Sequence, residues 1–197
     1  MPILPDLPTL PDLIAATWSD EAATAFETCA LTPAARSALA EVGIGLMQRF
    51  PPVPRTCCGM SAVYAAALRS AVDAPAYLVA GKLYADDVRV FGTARSFPET
   101  HMPFLRTDLD WDGHMWVAIG EYLADISLLV TARSRGASDA LGALVARAFG
   151  PDDRLMIAKA ADLQAIGLVY VPEYALTPEE VDALARGAEA DLLLLRG

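Results

Sequence analysis

Apolar residues are spaced for helices in the first third of this chain and for strands in its middle. Ser19 followed by Asp20 and Glu21 supplies a capping hydroxyl and an acidic first turn, predicting a helix to about Ala30. Thr32-Pro33 places a capping hydroxyl before a proline at the first helical position, and a second helix runs to about Arg49. Prolines at 51, 52 and 54 force an extended approach to Thr56, a cap that sets Cys57 and Cys58 in the first turn of a helix through Ser70. Ala, Val, Tyr and Leu surround much of that helix, the pattern of a buried one. The period then changes: segments 76–80, 88–91, 114–119 and 122–128 are short, β-branched and aromatic, and predict strands.

A helix over 138–149 follows, then mixed structure to Tyr174. Thr177-Pro178-Glu179-Glu180 is a capping box that opens a final helix to about Leu195. Prolines at 2, 5, 8 and 11 give the first residues the character of an extended arm. Helices first and sheet afterwards define an α+β fold class, with an antiparallel sheet packed on the cysteine helix. The expected layout is one domain: a Pro-rich arm (1–18), N-terminal helices (19–50), a core (54–130) and a C-terminal extension (131–197). The connection 92–112 is long enough to overhang a site.

Cys58, His114 and Asp125 follow one another along the chain in settings suited to thiol chemistry. The thiolate is the nucleophile, and the unpaired N–H groups and dipole of a helix start lower a thiol's pKa. His114 opens an aromatic strand, where an imidazole can take the proton. Asp125, alternating with Leu123 and Ser127 on the next strand, is costly there unless paired, and His114 across the hairpin is its natural partner. Cys57 points about 100° away around the helix and is read as structural, like Cys29. His101, in a proline-flanked loop, is the rival base. Trp116 shares a face with His114, either shielding the ring or filling the sheet core. The chain has no asparagine, so an acid must be the third member of any Cys-His system. The Cys58 N–H is the default oxyanion donor, with Gln48 a less favoured second.

These segments resemble the transglutaminase-like cysteine peptidase superfamily, a papain-like branch that includes arylamine N-acetyltransferases. Cys58 and Ala62 match its C-x-x-x-A helix, and Pro75, Ala76, Val79 and Gly81 match P-A-x-x-V-x-G. His114, Trp116 and Val117 match H-x-W-V, and Asp125 is the acid that follows. Taking Cys57 as nucleophile would put Ser61 at the alanine position and break the spacing to Pro75, so register selects Cys58. The resemblance spans residues 54 to 130 and departs at Asp73, where a turn glycine is usual. The His-to-Asp interval is also short, which implies a tight hairpin at Gly120-Glu121.

Composition narrows the partners. With 197 residues, 54% of them hydrophobic and 20% charged, the chain is long and apolar enough for a sizeable core. A net charge of −10 argues against nucleic acid. Three cysteines, two adjacent, make no disulfide framework and point to a reducing compartment. No basic-then-apolar leader or bilayer-length run is present, so a cytoplasmic protein is expected. Asp108-Leu-Asp110-Trp-Asp112-Gly113 looks like the start of a calcium loop, but Ile119 stands where a bidentate Glu is required. Adjacent Cys57 and Cys58 with His101 and His114 lack zinc-chelating spacing, and neither metal nor cofactor is expected.

The resemblance implies a Cys58-His114-Asp125 triad acting through a thioester acyl-enzyme. Peptide or amide hydrolysis comes first, and acyl transfer to an amine is the alternative. The rival from another class is a non-enzymatic interaction module. Its support is an apolar stripe (Val181, Leu184, Ala188, Leu192, Leu195) that could dock on this subunit or pair copies of the chain.

Overall fold

The computed structural model describes residues 8–50, 57–92 and 111–194, without the side chains of Cys57 and residues 191–194. Several sequence features fall outside: the first prolines, the 51–56 approach with Thr56, the 93–110 connection with His101, Asp108 and Asp110, and the side chains of Leu192 and Leu195.

Among the described residues, the cysteine helix is preceded by α1 (Leu10–Thr17), α2 (Asp20–Glu27) and α3 (Pro33–Arg49). The caps at Ser19 and Thr32 each accept from a backbone N–H, of Ala22 and Ala35. Within the expected Pro-rich arm, residues 10–17 form α1, whereas residues 1–7 lie outside the described residues. Thr9 and Asp12 cap each other reciprocally there, and Pro11 sits in the first turn, where an N–H would have no helical acceptor anyway.

After α4 (Cys57–Ala71) come β1 (Tyr77–Ala85), β2 (Val88–Phe91), β3 (His114–Ile119) and β4 (Tyr122–Asp125), then α5 (Leu128–Ala132), α6 (Asp139–Ala148) and β5 (Met156–Lys159). The chain ends with α7 (Ala160–Ala165), β6 (Leu168–Ala175) and α8 (Pro178–Leu194). Among the described residues, six strands form one antiparallel sheet. β1 is its hub: β3 pairs with residues 77–81, β2 with 83–85, and β6 with 79–85. Because β6 shares residues with both others, it takes one edge of β1, and β3 and β2 succeed each other along the opposite edge. The C-terminal extension therefore completes the same sheet.

Each face of the sheet carries a core. Met115, Val117 and Ile119 pack with α3, α4 and α8, whereas Trp116 and Ala118 pack with α1, α2 and α6. Burial on both faces is why β3 reads as a continuous apolar run. Val181, Leu184 and Ala188 of α8 are buried in the core shared with α4, so this part of the stripe is used within the chain.

Gly81 lies where β6 bulges at Glu173. A Cβ at Gly81 would stand 2.1 Å from the Val171 carbonyl oxygen and 2.9 Å from the Trp116 indole. Backbone cannot yield as a flexible side chain can, so Gly81→Ala is expected to cost about 3 kcal/mol, read from the denaturant midpoint.

Candidate active site

The site is assembled where β3 and β4 part. Gly120 and Glu121 form a two-residue hairpin, with Gly120 at φ +52° and Ile119 opposite Tyr122. Residues flanking such a loop exchange hydrogen bonds, so the backbone groups of residues 119, 117 and 115 point toward β4. The β3–β4 pairing has ended before Met115, because β4 stops at Asp125. The Met115 carbonyl is taken instead by the Ser61 hydroxyl of α4 at 3.0 Å, and Ser61 is buried. The first turns of α4 thus fill the gap that β4 leaves.

Helix direction then fixes Cys58. Residues 72–76 join the end of α4 to Tyr77, which pairs with Ala118 at the hairpin end of β3. α4 therefore runs from the His114 end of β3 toward the hairpin. Cys58 precedes Ser61 by three residues, about 4.5 Å along the axis, which sets it level with His114. Strand alternation sends the His114 ring to the face opposite α4, with Trp116, whereas the half-buried Cys58 packs on the α4 side. Cys58 and the His114 ring are thus placed on opposite faces of the sheet, a placement that weighs against a direct thiol–imidazole contact.

His114 and Asp125 are both fully buried, and Nε2 of the ring lies 2.5 Å from Asp125 Oδ2. A carboxylate only accepts, so Nε2 carries the proton and Nδ1 is the basic nitrogen of the neutral ring. Oδ1 accepts from the Ser127 N–H at 3.0 Å, the Ser127 hydroxyl at 3.1 Å and the Leu128 N–H at 2.9 Å. Those donors open α5, so the strand ends at Asp125 and does not continue to Leu128. The carboxylate itself turns the chain there. Nor is β4 an edge strand, since β5 pairs along it.

Burial by itself would push the Asp125 carboxyl up. The charge and hydrogen bond of His114, the Ser127 N–H and the Tyr170 hydroxyl outweigh it and hold Asp125 below the usual carboxylate range. Tyr170 donates to Oδ2 at 2.9 Å, a partner that sequence reasoning missed because β6 was not recognised. Aromatic rings enclose the imidazole: Phe91 stacks at 4.9 Å, with Tyr170 at 6.2 Å and Trp116 at 6.4 Å between centroids. Trp116 thus shares a face with His114 as expected.

The remaining candidates lie elsewhere. Burial raises the Cys29 thiol, and its carbonyl faces Gly120 at the hairpin end of β3, away from His114. Gln48 is exposed near the end of α3. A Cβ on Gly59 would meet that of Ala188 at 2.7 Å, so α8 crosses closely over the first turn of α4. No described helix is long and apolar enough to cross a membrane. No protein-family model, curated protein or solved structure matches the chain.

Proposed function

We propose that the protein is a thiol-dependent acyl-transfer enzyme of transglutaminase-like, papain-like type, using Cys58, His114 and Asp125. What supports this reading is the fully buried His114–Asp125 pair bonded through Nε2, whereas the placement of Cys58 on the opposite face of the sheet weighs against it and favours the interaction-module alternative. Such a pair presents Nδ1 as the proton carrier, in the tautomer a thiol needs. In the proposed cycle His114 Nδ1 takes the Cys58 proton, and the thiolate attacks an amide, ester or thioester carbonyl. The N–H of Cys58, in the first turn of α4, donates to the developing oxyanion. Collapse to the thioester expels the leaving group, protonated by His114. Water activated by the same nitrogen then releases the acid and restores the thiol.

Peptide or amide hydrolysis is the preferred outcome, and an amine acceptor in place of water gives acyl transfer. A reducing compartment such as the cytoplasm suits a working free thiol. The burial of Val181, Leu184 and Ala188 on their own chain weighs against an interaction module built on that stripe.

Cys58 is expected to be the fast-reacting thiol, with His114→Ala slowing its alkylation. Limited alkylation followed by peptide mass analysis measures this, and incubation with a panel of acyl donors should leave a mass shift on the same residue. Preferential labelling of Cys57 would move the nucleophile by one residue. Labelling indifferent to His114 would sink the enzymatic reading.

A further inference from the structure

Tyr170 stands outside the proposed triad, yet its hydroxyl shares one carboxylate oxygen with the imidazole. Oδ2 of Asp125 accepts from His114 Nε2 at 2.5 Å and from Tyr170 at 2.9 Å, while Oδ1 accepts three donors from the turn into α5. Five donors thus meet a carboxylate with roughly four acceptor positions, so they compete. Orientation is already secured through Oδ1, so the bond from Tyr170 is not required to aim the carboxylate. Its effect is on charge: a second donor on Oδ2 draws density away from the His114 bond.

We propose that Tyr170 is a positioning residue for the His114–Asp125 pair, competing with the imidazole for Oδ2 and so limiting how tightly the carboxylate holds the imidazolium. This rests on the acyl-transfer reading. An imidazolium held too firmly would keep the proton that it must give to the leaving group. The ring of Tyr170 also packs edge-on against Trp116 at 4.9 Å, which fixes the approach of its hydroxyl.

Among the described residues, the titratable groups around Asp125 are His114 on β3, Tyr170 on β6 and Tyr64 on α4, whose phenol is raised by burial and then by the Asp125 charge. The partner residue on β5, Met156, carries none. Lys82 and Glu173 form an ion pair next to Gly81, and Lys82 alternates to the other face of β1.

The test uses the full chain with 15N-labelled histidine; with only two histidines, a His101→Gln variant assigns the signals. In Tyr170→Phe the His114 Nε2 proton should resonate further downfield. The alkaline limb of the Cys58 labelling profile should move up by about one pH unit, the effect of one hydrogen bond to a charged group. A 3-fluorotyrosine at 170 is a stronger donor in the same shape and should shift the resonance upfield, which keeps the test open should the Phe variant fold poorly. If neither substitution moves the resonance, Tyr170 only walls the ring and the proposal is overturned, while labelling that still depends on His114 leaves the acyl-transfer reading standing. If the resonance moves in both directions but labelling ignores His114, the acyl-transfer reading fails and the positioning proposal falls with it.

Discussion

Asp125→Asn is expected to slow Cys58 alkylation at neutral pH by about a hundredfold while leaving the protein folded. The direction follows from the two sides of the carboxylate. Oδ1 receives three donors, so the side-chain oxygen of asparagine must take that position, and its NH2 must then face His114 Nε2. A donor there forces Nε2 to accept, which moves the ring proton to Nδ1 and leaves no base toward the thiol. The equivalent change in a serine-protease triad costs roughly four orders of magnitude, and a thiol, already partly ionised, needs its acid less. The measurement is the alkylation rate against pH for both proteins. Superimposable profiles would remove Asp125 from the site.

Asp125→Ala should be the more damaging change for the fold, with a loss of about 3–5 kcal/mol in denaturant unfolding. It strands the buried His114 and Tyr170 donors and removes the acceptor that turns β4 into α5. The same carboxylate links stability to pH. Its folded pKa is depressed, so its contribution is present above the ordinary value of 3.8 and is lost as pH falls through the lower folded value. The stability gap between wild type and Asp125→Asn should therefore narrow as the solution is acidified below that point. A gap constant across this window would mean that Asp125 is not ionised in the folded protein.

Where local chemistry decides an element, the sequence was a good guide. The caps at Ser19, Thr32 and Thr177 each precede the helices they predict, and the Gly120-Glu121 hairpin follows from the short interval between His114 and Asp125. α1 was misread because four prolines suggested an arm, although Pro11 falls at the one turn that tolerates it. β6 was lost for a related reason: Pro172 and the bulge at Glu173 interrupt its alternation, and only its pairing with β1 shows it to be a strand. β5 is too short to carry a period, and its place is set by β4.

The same contrast holds within the site. His114 and Asp125 are neighbours across a hairpin, so their pairing could be read from spacing. Tyr170 reaches Asp125 across a separation of 45 residues, through a strand whose register nothing local specifies. The split between β3 and β4 was hidden as well, since alternation along residues 122–128 favoured a longer strand. Only the hydrogen bonds of Asp125 show why it ends.

That turn constrains anyone who would transplant the arrangement to another scaffold. The carboxylate that grips the imidazole is also the one that peels β4 away and leaves the Met115 carbonyl to Ser61. Sliding the acid two positions back, to 123, would keep it on the same face of the sheet. The strand could then stay zipped past Ala124, however, and the slot occupied by the tip of α4 would close. A graft that copies three side chains onto an unbroken hairpin should reproduce their spacing and leave the cysteine helix with nowhere to enter.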